Sequence, residues 1–551
     1  MGPSLDERIG EDHGIRVLDA LLWKLDWSEW EGKYAPSSSG RPPIHPRLMA
    51  GAILYGLLKK IRSTRDLEEA TRMRLDFQWF LEEREVDHTT FATFKQRFDD
   101  KIAGLFKQIN RQAADLRKAT LEEIVADGTR LRANSDRHGA RSAKGLTLRL
   151  ERLEEQMGER LRELEAEAPE EDEDEGSNQS GQSPESEEFG LCESGAEAAD
   201  PLADLKAERA KLQRALQEAE RRDKIKATKD GANPKAVRVP VSDPDSYILP
   251  NKEGGYAPNY TPVVAVESQY GLIVSAVVAE GHSEAATVPA LVEGVCELKG
   301  ENPKRLLFDG NFVSGPNLEH LANAEIEVYA ALGRKAENPA HRPDPTEPVE
   351  EAQIGNLPMR GKQFDKAAFL YGSQRDCYHC PMGRILEPRR QVRRKNPDGT
   401  SIDVSEYYSA DCSGCGFASK CLRGKAKARA VSRDEHEHLR DALAARMQSC
   451  EGEEIYSRRA PCVEGTIGTI KSAMGIRGFA RRGKSKVEAD WNWVCAAYNI
   501  GKLLRWALPG ALHGAGAALG AWIRSARVKR RPLRGRTTKF LGFKVQFALA
   551  A

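Results

Sequence analysis

Three acids stand where phosphodiester chemistry could use them. Asp127 closes the apolar run Ile124, Val125, Ala126, and Asp309 closes Leu306, Leu307, Phe308; each acid is followed by glycine, and each run reads as a short buried strand. Glu464 lies in VEGTIGTIK, on a predicted helix. In an open α/β sheet the strand ends face the ligand crevice, so acids at two such ends can converge however far apart they are in the chain. Carboxylate oxygens are hard ligands suited to Mg²⁺, and two such ions about 4 Å apart can activate a water or a 3′-hydroxyl and stabilise the leaving oxygen in phosphodiester transfer. The plainer readings are turn chemistry for Asp-Gly after a strand and solvated surface charge for Glu464 with Lys471. Asp243 and Asp245 are rival acids, but they flank Pro244 ahead of a strand and read as a turn.

Basic groups follow Glu464. Lys471 is seven residues on, two turns of an uninterrupted helix, so both face one side and one could hold metal while the other neutralises phosphate. RGFARRGKSK then carries Arg477, Arg481, Arg482, Lys484 and Lys486 on a glycine-punctuated turn, a candidate phosphate-binding run with a solvated charge run as the alternative. Trp491 and Trp493 share a helix with Val494, Tyr498 and Leu503 and read as core rather than as base-stacking platforms. A softer set of ligands is separate from all of these. Cys377-x-x-Cys380 and Cys412-x-x-Cys415, followed by Cys421, make two CxxC pairs and a fifth thiol. Tetrahedral zinc takes four such ligands, so a structural Zn²⁺ knuckle is the first reading, ahead of unmetallated buried thiols and redox chemistry; Cys421 could replace one of the four.

The elements that must position these groups follow from periodicity. Residues 1–118 read as a helical module for DNA binding or dimerisation, with Leu48, Ile53, Leu57 and Leu58 near helical spacing and Ser63 as a plausible N-cap. Residues 119–142 and 230–335 read as the first part of an α/β layer. It comprises a strand at 124–126, a hairpin of TPVVAVES and GLIVSAVVAEG, a helix over 284–298, the strand KRLLFDG, a helix near 317–324 and a strand at 325–332. Between its halves, Leu150, Leu153, Met157 and Leu161, then Leu205, Leu212 and Leu216, predict an antiparallel coiled-coil hairpin over 143–229 with an acidic, disordered tip. A polar, Cys-containing insertion spans 336–432, helices including the Glu464 segment span 433–508, and a basic tail spans 509–551. The fold class is α/β: a mixed sheet flanked by helices, with an all-α N-terminal domain and two insertions.

The formal charge of +1 hides a segregation: residues 163–200 hold fifteen acids and no Lys or Arg, so the rest sets 84 cations against 68 acids. Residues 505–551 carry ten cations and no acid, which points to a polyanionic partner. The stretch 507–523 is short and broken by Gly, Pro and His, so no membrane span is expected, and ten cysteines without a signal peptide suit a reducing, cytoplasmic setting.

The sequence resembles the bacterial insertion-sequence DDE transposases of the cut-and-paste type. The resemblance rests on HPRLMAGAILYGLL with DHTTFATFKQRF, on VADGT, YAPNYTPVVAVES and LLFDGNF, and above all on YSRRAPCVEGTIGTIKSAMGIRGFARRG. In that last segment Tyr456, Arg459, Glu464 and Lys471 match the family's Tyr-Arg-Glu-Lys signature, with four residues between Arg459 and Glu464 where the commonest form has three. The resemblance implies an RNase H-like catalytic domain and Asp127, Asp309 and Glu464 as catalytic ligands of Mg²⁺ or Mn²⁺. It also implies Lys471 as a contact to transposon-end phosphate, with Tyr456 and Arg459 beside it. Its expected partners are double-stranded DNA, as terminal inverted repeats and target, and a second copy of the chain in a homodimeric synaptic complex at the nucleoid. The alternatives are a catalytically silent, transposase-derived DNA-binding protein and an RNase H-like nuclease.

Overall fold

The computed structural model describes residues 3–33, 43–167, 200, 202–230, 236–251, 254–281, 283–332, 344–395, 401–409, 412, 414–422, 424 and 426–507. Residues 168–199, most of the acidic segment with Cys192, and the basic tail 509–551 with the glycine string from Gly514 fall outside the described residues. The described chain divides into two compact units, residues 1–95 with the chain from Ile500 onward, and residues 96–499.

The first unit is helical. Its central helix, Pro46–Leu58, starts with Pro at the first turn and is buried from Pro46 through Gly56, as expected of a helix apolar on nearly every side. A Cβ on Gly51 would overlap the Phe80 ring and Leu22, so only glycine lets these elements approach so closely. The Ser63 hydroxyl accepts from the Asp66 N–H at 3.0 Å and caps Thr64–Met73 as predicted. Arg72 and Arg74 pair with Glu68 at 2.6 Å and Asp76 at 2.7 Å. The helix Ile102–Arg117, grouped with this module by its sequence, belongs instead to the second unit. There it buries Leu105, Ile109 and Ala113, and its Asn110 amide donates to the Val274 carbonyl at 3.2 Å.

The second unit is built on a mixed sheet of β1 (Glu123–Gly128), β2 (Tyr256–Glu267), β3 (Ile273–Ala279), β4 (Arg305–Phe308) and β5 (Glu327–Ala330). The order is β3-β2-β1-β4-β5; β1 and β3 run antiparallel to β2, whereas β4 is parallel to β1 and β5 to β4. β2 is buried from Pro258 to Glu267, the pattern of a central strand covered on both faces. At the β2–β3 turn the Glu267 carboxylate accepts from the Gln269 and Tyr270 N–H groups at 2.7 and 2.8 Å. The parallel strands are reached through crossover helices, Val288–Lys299 before β4 and Gly315–Asn323 before β5. Two short strands, Leu131–Arg132 and Tyr247–Pro250, pair with the first half of β2.

The insertion between β1 and β2 is the predicted helical pair, Ala143–Glu167 and Ala203–Asp230. Leu146, Leu150, Leu153, Leu212, Ala215 and Ala219 form its core, and Leu161, towards the tip, is exposed. The Cys-containing insertion has more structure than its polar composition predicts. It is an antiparallel meander of β6 (Leu370–Gly372), β7 (Cys377–His379), β8 (Ile385–Lys395), β9 (Ser401–Ser409) and β10 (Ala430–Asp434), with Phe364, Leu386, Tyr407 and Val431 in a core of its own. β8 reads as polar because most of its side chains are exposed, so the alternation that marks a strand is missing. The last described helix, Lys484–Ala507, buries Trp491 and Trp493 in the core. Among the described residues no helix is long and apolar enough to cross a membrane.

Candidate active site

β1 and β4 bring the two aspartates together. Their parallel register pairs Val125 with Leu307; Asp127 lies two residues further along β1 and Asp309 just past the end of β4, so both acids stand at neighbouring strand ends. Neighbouring strands lie about 4.8 Å apart. Both acids are half-buried. Asp127 Oδ1 accepts from the Gly128 N–H at 2.8 Å; Asp309 accepts from the Asn311 backbone at 2.8 Å and side chain at 3.2 Å, capping the short turn Gly310–Phe312.

A third carboxylate that has no sequence motif joins them. Glu284, in the connection after β3, lies against Gly128, where any Cβ would overlap its carboxylate. Burial, then the charges of Asp309 and Asp127, push its carboxyl up to about 7, while Arg130 and Arg459 act in the opposite direction. Nothing in GHSEAAT marks this residue. It becomes a neighbour of both aspartates only through the path of the chain between β3 and Val288–Lys299.

The signature segment flanks β1. Helix Arg459–Gly468 buries Val463 and Thr466, and a π-helical turn, Thr469–Ala473, continues it. Arg459 pairs with Asp127 at 3.2 Å, and its Nε is buried with no hydrogen-bond partner. Arg458 reaches Glu123, near the start of β1, at 3.5 Å. Lys471 Nζ donates to the Arg130 carbonyl at 3.2 Å, just past the end of β1. Glu464 lies between these anchors along the helix and is exposed, and Tyr456 is half-buried on the preceding helix, Cys450–Ser457. The π turn means that Glu464 and Lys471 are not related by the plain two-turn geometry their spacing predicts. Among the described residues no three or more His, Cys, Asp or Glu side chains already stand in a metal-holding arrangement.

The basic run after the signature divides by role. Arg481 turns inward, pairing with Asp99 at 2.7 Å and Asp490 at 2.8 Å and donating to the Lys486 carbonyl at 3.0 Å, so its guanidinium is committed to the fold rather than offered to phosphate. Arg477 and Arg482 are exposed, although Arg482 Nε also donates to the Asn134 carbonyl at 2.8 Å. The run is stitched to the sheet edge: Arg132 N–H donates to Arg477 O at 3.1 Å, and Phe479 N–H to Arg132 O at 2.8 Å.

The five thiols do not act as one set. Cys380, Cys412, Cys415 and Cys421 line a common cavity, whereas Cys377 is buried elsewhere, its Sγ 3.7 Å from His379 Nε2. Burial pushes the Cys421 thiol up to about 11, Arg429 acts against this, and the other three thiols of the cavity add to it.

A helical unit precedes in sequence an α/β sheet with two strand-end aspartates, and the Tyr456, Arg459, Glu464 and Lys471 segment, spread over two helices and a π turn, flanks the first of those strands. Residues 3–97 match the family model described as Transposase domain (DUF772), and residues 379–504 match the model described as Transposase DDE domain. The two matches support an insertion-sequence DDE transposase. The second covers Glu464 and Lys471; Asp127, Asp309 and Glu284 lie outside both. No curated protein matches the chain.

Proposed function

We propose that this chain cuts DNA at the ends of its own insertion sequence and joins the freed 3′ ends to target DNA, at one site formed by Asp127, Asp309 and Glu464. The observation that carries the reading is the placement of Asp127 and Asp309 at the neighbouring ends of two central parallel strands. The strand order β3-β2-β1-β4-β5, antiparallel then parallel, supports an RNase H-like catalytic domain.

The donor set fits Mg²⁺ or Mn²⁺. It consists of hard carboxylate oxygens; burial first, and then the charges of Asp309 and Asp127, hold Glu284 towards its protonated form, and a dication would relieve the like-charge part of this. Asp127, Asp309 and Glu464 would hold the ions, which when bound activate the attacking oxygen and stabilise the leaving one. Arg459 holds the Asp127 carboxylate in position. Lys471, anchored at the Arg130 carbonyl, places a cation where the DNA backbone passes the strand ends, and the exposed Arg477 and Arg482 extend that contact. In-line displacement needs little more from the protein than positioning and charge. Two element ends would be held by a homodimer of the chain at the nucleoid.

The test is incubation with Mg²⁺ or Mn²⁺ and DNA carrying the inverted repeats that flank the gene. Wild type should cleave at the ends, and Asp127→Asn or Asp309→Asn should bind the same DNA without cutting it. If wild type also binds without cutting, the enzyme reading fails and a silent DNA-binding protein replaces it. Cutting of RNA–DNA hybrids but not of element ends would favour the nuclease.

A further inference from the structure

The four thiols that share a cavity come from three separate places. Cys380 sits in the tight turn after β7, where its N–H donates to the Arg384 carbonyl at 2.9 Å and its carbonyl accepts from the Gly383 N–H at 2.8 Å. Cys412 and Cys415 follow β9, and Cys421 ends the short helix Ala418–Cys421. Cys377 is excluded by its position. It does not line the cavity: it stands on β7 with its Sγ buried 3.7 Å from His379 Nε2.

The cavity suits one ion. It is small, with Phe369, Leu386 and Leu422 giving it a largely apolar wall around the four sulfurs. Four thiolates around Zn²⁺ carry a net charge of minus two, and two cations, Arg384 and Arg429, line the same cavity. Arg429 Nη1 donates to the Cys421 carbonyl at 3.4 Å, while its Nε is buried with no hydrogen-bond partner, a donor that a thiolate sulfur would satisfy.

We propose that Cys380, Cys412, Cys415 and Cys421 bind one structural Zn²⁺ that fastens the segment after β9 to the turn after β7, with Cys377 outside the ligand set. The described side chains do not yet stand at ligand positions, so loading draws the sulfurs inward onto Zn–S bonds of about 2.3 Å and releases thiol protons. The site is independent of the carboxylates: Asp309→Asn should keep its zinc.

The experiment is metal analysis of the full-length chain purified without chelator, with reconstitution by Zn²⁺ alone. Wild type should hold one zinc per chain, Cys377→Ser and Cys450→Ser should keep it, and Cys415→Ser and Cys421→Ser should fall below about a fifth of an equivalent. Because a serine variant could lose metal by misfolding, wild type is also loaded with Co²⁺, where four sulfurs give intense thiolate-to-metal charge transfer and tetrahedral d–d bands. Far-ultraviolet circular dichroism of each variant gives the folded fraction. Zinc well below one equivalent in reconstituted wild type, iron with acid-labile sulfide in its place, or equal losses in folded Cys377→Ser and Cys415→Ser would each overturn the proposal.

Discussion

Asp127 and Asp309 hold their carboxylates at the open ends of two parallel strands, whereas Asp243 and Asp245, in the same unit, use theirs to fasten the chain. Asp243 Oδ1 accepts from the Tyr260 hydroxyl at 2.8 Å and from the Gly483 N–H at 3.0 Å; Asp245 accepts from the Lys484 N–H at 2.8 Å and pairs with Arg214 at 2.8 Å. Those bonds tie the turn before β2 to the start of the last helix, some 240 residues away. The hydrogen bonds of Asp127 and Asp309 to backbone N–H groups come from their own turns, and the charge of the pair is felt by Glu284. The difference teaches how to tell a clamp from a site among acids beside turns. A clamp's oxygens accept from backbone donors far along the chain, whereas this site's acids accept from backbone donors of their own turns, with Arg459 as a further side-chain hold on Asp127, and collect like charge.

The sharpest way to break this comparison is to neutralise one acid of each pair. Asp309→Asn should lower end cleavage by roughly 10³-fold, the several kcal/mol that ion-assisted charge stabilisation supplies, with little change in unfolding midpoint. Asp243→Ala should do the reverse. It strands the Tyr260 hydroxyl and the Gly483 N–H, at about 1–3 kcal/mol each, and leaves cleavage per folded molecule near wild type. Cleavage rates on matched DNA and urea unfolding of both variants decide it; loss of cleavage in folded Asp243→Ala would erase the distinction.

The third acid sharpens the comparison at lower amplitude. Glu464→Gln should reduce cleavage by roughly 10²-fold or more even at saturating Mg²⁺, as loss of a ligand to a catalytic ion does. Glu284→Gln should act on ion affinity, raising the Mg²⁺ concentration for half-maximal cleavage about tenfold with a smaller loss at saturation. Mg²⁺ titrations of both variants separate the roles. If Glu284→Gln abolishes cleavage at every Mg²⁺ concentration and Glu464→Gln does not, Glu284 is the third ligand and the signature glutamate is not.

Much of this was legible because local chemistry coincided with the fold. The runs ending at Asp127 and Asp309 are apolar and close on Asp-Gly, so both strands and their terminal acids stand out. The leucine stripe of the helical pair does too, since seam positions such as Leu150, Leu153 and Leu212 are buried. What escaped depends on long-range register. Nothing near Glu284 announces that the connection after β3 passes Gly128. Arg481 looks like its neighbours until Asp99 and Asp490 are brought to it from opposite ends of the unit. The choice among the five thiols needed the cavity that Cys380, Cys412, Cys415 and Cys421 line and Cys377 does not, and that cavity forms only when the turn after β7 meets the segment after β9.

The smallest effect is the most specific to the clamp. Asp243 is 1 % exposed, and burial pushes its carboxyl above the ordinary carboxylate range; the charge of Asp245 adds to this, while the Tyr260 and Gly483 bonds and Arg214 oppose it. Its Oδ2 is buried without a partner, so the protonated form suits the site. A folded carboxyl raised above its unfolded value keeps its proton while the unfolded chain loses it. This group's contribution is therefore fully present below the unfolded range and is lost as pH rises through the folded one. Asp243→Asn retains an oxygen for Tyr260 and Gly483 but cannot titrate. The melting temperature of wild type should therefore match or exceed that of Asp243→Asn near pH 4 and fall below it towards neutrality. Glu284 and Glu488, also raised, are present in both proteins and cancel in the difference. Scanning calorimetry of the pair across that range reads the crossing directly, and parallel curves would mean that Asp243 is ionised throughout and its clamp is an ordinary carboxylate one.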